Sequence, residues 1–238
     1  MRNRARQGRV VLVLGAGASV DARDPKNRKP PTGAELAKLI SQKFLGGEFD
    51  RADLATVAEY AFSESGLLTV QQYIHDLFTL FEPTAAHCLL TKFVWGGLAT
   101  TNYDCLVEKA YAKTPGAMQV PVPFIENGDR IIESLRDPKS LKYLKLHGCI
   151  SRITNENCPL ILARDQYLKY RHCRDRVFEQ LREWAYEHTI VFVGHSVQDA
   201  DLRETIFELD QQLKSRPRYF LVAPRRSESR SGFGKQKK

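Results

Sequence analysis

Strand-like segments alternating with helical ones predict an α/β fold, with a mostly parallel sheet flanked by helices. Two observations carry that expectation. Val10-Val11-Leu12-Val13-Leu14 is a continuous apolar run, and Thr189-Ile190-Val191-Phe192-Val193-Gly194 holds a second from Ile190 to Val193, the pattern of parallel strands buried on both faces. Amphipathic helical patterns separate these and the weaker strands.

The elements follow in order. After the first strand, residues 21–33 are polar and carry Pro25, Pro30, Pro31 and Gly33, a loop signature. Thr32 with Glu35 three positions on forms a capping box for a helix from Ala34 to Phe44. Three further amphipathic stripes, through Leu54, Val57, Ala58 and Ala61, through Val70, Ile74, Leu77, Phe78 and Phe81, and through His87, Leu89, Leu90 and Phe93, predict a helical insert over about residues 45–94. A strand over Leu98 to Thr101 precedes a helix from Cys105 to Ala112. Residues 113–130 hold three prolines and two glycines and read as loop with a short strand at most. Strands are expected at Tyr143 to Gly148, Leu160 to Leu162 and Tyr219 to Val222, with helices at Asp175 to Glu187 and Asp201 to Leu213.

Composition narrows the function classes. The chain has 238 residues, 42% hydrophobic and 27% charged, the balance of an ordinary globular protein. No apolar run approaches the length that spans a bilayer. The basic start, Arg2 to Arg6, is followed by no hydrophobic stretch of signal-peptide length, so a cytoplasmic location is expected. The net charge of +8 invites a nucleic-acid reading, but its distribution argues otherwise. Residues 1–9 carry four arginines and no acid, and residues 225–238 carry six basic residues against Glu228 alone. Both segments read as basic tails, which leaves residues 10–224 close to neutral. Nucleic acid is expected to contact the tails at most. The five cysteines, Cys88, Cys105, Cys149, Cys158 and Cys173, include no C-x-x-C pair. Neither a disulfide framework nor a structural zinc site is expected, and small buried hydrophobes is the favoured reading of all five.

Four polar clusters follow strand ends. Gly15-Ala16-Gly17-Ala18-Ser19 is either a phosphate cradle or a tight strand-to-helix turn. It is not the dehydrogenase fingerprint, because Val20 stands where the third glycine would fall. In Thr101-Asn102-Tyr103-Asp104 the Asn and Asp are helix caps or ligands in the sheet's crevice. His147-Gly148 offers a candidate base, histidine being the side chain that titrates near neutral pH. Gly194-His195-Ser196, with Asp199 and Asp201 beyond, closes the second buried strand.

Taken jointly, in this order and spacing, the clusters resemble the sirtuin superfamily, and more narrowly the bacterial SIR2-like family of antiviral defence systems. Leu160 to Tyr167 and Phe192 to Arg203 share that resemblance, which spans about residues 10–224. It implies a Rossmann-like NAD-binding domain that attacks the nicotinamide–ribose bond of NAD. By carry-over, Gly15, Ala16, Gly17 and Ser19 hold the pyrophosphate side, with Thr101 beside them. Asn102 orients the ribose or the attacking water, Asp104 lies near the nicotinamide end, and His147 is the general base. Gly194, Ser196 and Asp199 contact the adenosine half. The chemistry suits these residue types: nicotinamide leaves as a neutral group, so orientation and modest base help suffice.

Protein-deacylating sirtuins carry a zinc ribbon with two C-x-x-C pairs, which this sequence lacks. An NAD glycohydrolase without zinc is therefore expected, ahead of a sirtuin-type deacylase or a non-enzymatic NAD or ADP-ribose binding module. An ungated enzyme of this kind would kill its host. A homo-oligomer, or a partner or sensor subunit, is accordingly expected to control it, and 238 residues fit one NAD-cleaving domain.

Overall fold

The computed structural model describes residues 8–130, 135–162, 166, 172–195 and 219–222. Six strands stand among them: β1 (Val10–Leu14), β2 (Gly97–Thr100), β3 (Val120–Phe124), β4 (Ser140–Lys145), β5 (Thr189–Val193) and β6 (Tyr219–Val222). They form one sheet in the order β3-β4-β2-β1-β5-β6, and every neighbouring pair is parallel. The expected helix-flanked parallel sheet is thus the observed one.

Among the described residues the α-helices with defined bounds are α1 (Gly33–Phe44), α2 (Leu54–Ser65), α3 (Leu67–Phe78), α4 (Ala85–Leu90), α5 (Leu106–Lys113) and α6 (Asp175–Glu187). Alternation along β1 explains how they cover the sheet. Val11 and Val13 face a core with Phe178, Leu181 and Trp184 of α6. Val10, Leu12 and Leu14 face the other, with Val107 and Tyr111 of α5. Both sets are essentially solvent-free. Each large aliphatic side chain so buried contributes about 1.5–3 kcal/mol, which is why β1 needs no polar position.

The helical layer packs as a third core. Leu36, Ile40, Val57, Ala61, Val70 and Ile74 meet Ile150 and Leu160 from the loops beyond β4. Thr32 caps α1 as expected: its Oγ1 accepts from Glu35 N at 3.3 Å, and Glu35 Oε2 accepts from Thr32 N at 2.7 Å. α1 shares this core with α2 and α3.

Three expectations are corrected. The stretch around Pro121 and Pro123, read as loop with a short strand at most, holds the five-residue strand β3. It lies at the sheet edge, where prolines lacking an N–H can face away from the ladder. Leu160 to Leu162 is not a strand. Leu160 N donates to Gln71 Oε1 and Leu162 N to Gln166 Oε1, each at 2.7 Å, so side chains stand where a neighbouring strand would. Cys158 and Cys173 are not separate hydrophobes but are joined as a disulfide, with Cys173 immediately before the buried Arg174. The basic tails, except for Gly8 and Arg9, and the helix expected over Asp201 to Leu213 lie outside the described residues.

Candidate active site

Within the sheet, the chain steps from β1 to β2 on one side and, after β4, returns to place β5 on the other side of β1. In open α/β sheets, ligands bind beyond the strands' carboxyl ends at such a switch point. A cavity of about 210 Å³ opens there. Its polar side is made by Ala16, Ser19, Thr101, Asn102, Asp104 and His147. Pro30, Pro31, Leu36, Leu54 and Phe78, from α1 to α3 and the loop before them, form an apolar wall.

Backbone bonds between strand ends hold the polar side in place. Thr100, the last residue of β2, donates through Oγ1 to Leu14 O at 3.0 Å and accepts from Asn102 N at 3.0 Å. Thr101 N also donates to Leu14 O, and Leu146 N to Thr100 O. The ends of β1, β2 and β4 are thereby fixed to one another before any side chain reaches the cavity.

The side chains form one chain of hydrogen bonds. Asn102 Nδ2 donates to Gly15 O at 3.2 Å and to Ser19 Oγ at 3.1 Å. Ser19 Oγ donates onward to Asp104 Oδ2 at 3.1 Å. Asp104 Oδ1 accepts from Leu106 N at 3.0 Å, at the start of α5. Ser19, Asp104 and His147 are all buried. Asp104 therefore has both oxygens engaged, one with the glycine turn and one with the helix start.

The glycine turn itself is a short 3-10 segment, Ala16–Ala18. Gly15 N donates to Val193 O at 3.0 Å, Gly17 N to Gly194 O at 2.8 Å, Ala18 N to Gly15 O and Ser19 N to Ala16 O. The N–H groups of Gly15, Gly17, Ala18 and Ser19 are thus bonded within the protein. What the glycines supply is close approach: a Cβ on Gly17 would lie 2.8 Å from Gly194 Cα. Gly194 has φ +66, and a Cβ on it would lie 2.0 Å from Ala18 N. Gly15, Gly17 and Gly194 set the turn beside the cavity and do not line it. Ser196 and Asp199 lie outside the described residues.

Behind this wall sits a second cluster that the sequence did not reveal. Lys145, fully buried at the end of β4, donates through Nζ to Asp104 O and lies 3.4 Å from Glu108 Oε1. Cys105 and Cys149 face each other, Sγ to Sγ at 3.6 Å. Cys105, Glu108 and Cys149 have potential ligand atoms within 4.8 Å of one another. Lys145 keeps its charge, held well above the usual ammonium range by surrounding acidic groups despite its burial. The apolar wall was also missed, because its residues come from the helical layer and only the fold brings them to the strand ends.

Among the described residues, no helix is long and apolar enough to cross a membrane.

A family model described as SIR2-like domain matches residues 97–238, more than half of the chain. NAD(+) hydrolase ThsA of Cytobacillus dafuensis is 28% identical over 152 residues, covering 63% of this chain and 29% of that protein. Defense-associated sirtuin 2 of Bacillus subtilis is 23% identical over 205 residues, covering 83% of this chain and 19% of that protein. The chain thus spans less than a third of the length of either relative. Two solved structures are similar over 92% of the chain. One was described under the structural basis for the mechanism and regulation of Sir2 enzymes (TM-score 0.45, 14% identity, 81% of that chain covered). The other is a Sir2 homologue in complex with NAD (TM-score 0.44, 16% identity, 79% covered).

Proposed function

The chain belongs to the SIR2-like domain family, and from that premise we propose that it is an NAD glycohydrolase, releasing nicotinamide and ADP-ribose as a gated effector of a bacterial anti-phage defence. A relative named NAD(+) hydrolase and another named a defence-associated sirtuin support this reading. The observation that carries it is the meeting of Asn102 and His147 in one cavity beyond the strand ends, faced by an apolar wall.

In this reading the ribose–nicotinamide C–N bond breaks with its electron pair passing to the pyridinium nitrogen, so nicotinamide departs neutral. A water adds to the oxocarbenium-like carbon, and His147 takes its proton. Both Nδ2 hydrogens of Asn102 are engaged by Gly15 and Ser19, so its carbonyl oxygen is what it offers to the water or a ribose hydroxyl. Asp104 acts through Ser19 and is a positioning residue. Orientation of this kind supplies a large part of the rate. The apolar wall suits the uncharged leaving group and limits water at the reacting centre. Gating falls to self-assembly or to a partner subunit.

The test is nicotinamide release from NAD by the protein, alone and with an acylated peptide, for the wild type, Asn102→Ala and His147→Ala. Release without peptide, lost in both variants, is the expected result. Release that requires the peptide assigns a deacylase instead, and undiminished cleavage by both variants overturns the mechanism.

A further inference from the structure

We propose that Cys105 and Cys149 are a site of reversible oxidation by a hydroperoxide, closing to a disulfide that ties the loop bearing Asn102 to the loop bearing His147. The bond stands on the geometry of the two sulfurs; only its effect on turnover rests on the assignment of the cavity to NAD cleavage.

Position is the first ground. Cys105 stands three residues after Asn102, and Cys149 two after His147. Their sulfurs are 3.6 Å apart, about 1.5 Å beyond a covalent S–S bond. The loops that carry them are already joined at the backbone, where Ile150 N donates to Tyr103 O at 2.9 Å. A small inward movement of two side chains is therefore enough to close the bond. Cys149 is buried and Cys105 beside it half-buried, so a molecule as small as hydrogen peroxide reaches Cys149 past Cys105.

Electrostatics is the second ground. The Cys149 thiol is held below its ordinary range, first by the hydrogen bond from Cys105 and further by the Lys145 ammonium, while Cys105 is held above it. One member of the pair is thus suited to be the nucleophile and the other to resolve it. The same cluster offers three potential metal ligands with Glu108. The Lys145 ammonium, 3.4 Å from Glu108, already fills the place of a cation, so the arrangement favours thiol chemistry over metal binding.

The steps balance. The Cys149 thiolate attacks one peroxide oxygen, the O–O bond breaks, and the departing hydroxide takes a proton to become water. Cys149 is left as a sulfenic acid. The Cys105 sulfur then attacks the Cys149 sulfur, the S–O bond breaks, and a second water leaves with the Cys105 proton. Two electrons pass from the two sulfurs to the peroxide, and a thiol reductant returns them.

The experiment treats the whole chain with hydrogen peroxide, maps disulfide-linked peptides by mass spectrometry, and follows NAD cleavage in the same samples. A Cys105–Cys149 linkage distinct from Cys158–Cys173 is expected, with cleavage falling about tenfold or more and recovering on reduction, as small displacements of catalytic groups require. Cys105→Ser and Cys105→Ala are expected to keep their cleavage in peroxide. Absence of the linkage while other cysteines oxidise, zinc retained by the pair at one per chain, or a linkage that leaves cleavage unchanged would each overturn the proposal. A linkage that forms in a protein inert toward NAD overturns the activity assignment and leaves the oxidation site standing.

Discussion

Ser19 Oγ donates to Asp104 Oδ2 at 3.1 Å across 85 positions of sequence, and it accepts from Asn102 Nδ2 at the same distance. One hydroxyl therefore links the turn after β1 to both polar residues after β2. Ser19→Ala removes both bonds and leaves Asn102 Nδ2 with Gly15 O alone. NAD cleavage is expected to fall about tenfold, in kcat more than in KM, because orientation rather than binding is lost. The thermal midpoint is expected to drop by only a few degrees, since a buried hydrogen bond is worth about 1 kcal/mol. Initial rates and a thermal melt distinguish this from a folding defect; equal rates for both proteins would show that Asn102 is held by other means.

Gly17→Ala tests the interlock of the turn with β5. The added methyl meets Gly194 Cα at 2.8 Å and Gly194 O at 2.9 Å, and both are backbone atoms that cannot swing aside. Destabilisation of about 1–3 kcal/mol is expected, the range of an overpacked interior. Gly128→Ala is the control, since a Cβ there meets nothing within 4 Å. Equilibrium denaturation of both variants checks the contrast, and a Gly17→Ala protein as stable as the control would exclude the interlock.

The legible parts of the chain were those where one residue pattern has one physical solution. β1 is apolar throughout, and β5 from Ile190 on, because both faces are covered. Asn102 and His147 stood out in the sequence because each follows a strand end, and the fold brings both to one cavity. β3 was not, because prolines at 121 and 123 argue against a central strand and only the sheet order shows that it is an edge. The segment at Leu160 was misread because its apolar side chains serve the helical core, while its amides are met by Gln71 and Gln166. The Lys145 cluster was hidden for a related reason. Its members are spread from Asp104 to Cys149, and a lysine within a strand reads as solvent-facing until the fold buries it.

Arg174 is fully buried and makes no salt bridge among the described residues; it donates instead to carbonyls. Nε reaches Ile125 O at 3.1 Å, and Nη2 reaches Cys158 O at 3.0 Å and Pro159 O at 2.6 Å. Burial lowers its pKa to about 10, so it stays charged at neutral pH. Arg174→Ala leaves several buried carbonyls unmet at once, and a loss of about 3 kcal/mol or more is expected. Arg174→Lys is expected to restore little of it, because one ammonium cannot reproduce the planar fork that reaches both sides. Denaturant melts of the two variants decide the point, and full rescue by lysine would show that charge alone matters there.

His87 makes stability depend on pH. It occupies the third position of α4, where its Nδ1 accepts from Thr84 N at 3.2 Å while Thr84 Oγ1 accepts from His87 N at 3.3 Å. An Nδ1 that accepts carries no proton, so the box needs the neutral ring. Burial, the dominant influence, lowers the pKa of His87 from its ordinary value, with the Asp104 charge opposing in part. In the unfolded chain the ring titrates near 6.5. Above that pH neither state binds the proton and His87 adds no slope. As pH falls through about 6.5 the unfolded chain takes up a proton that the folded chain refuses, so stability declines, by up to about 1.4 kcal/mol per pH unit, until the lowered folded-state pKa is reached. His87→Gln keeps an acceptor suited to the capping box and does not titrate. The difference in unfolding free energy between wild type and variant is therefore expected to be flat from pH 8 to 7 and to shift in favour of the variant between pH 6.5 and 5. A difference that stays flat over the whole range would mean that the ring at position 87 is protonated as readily in the fold as out of it.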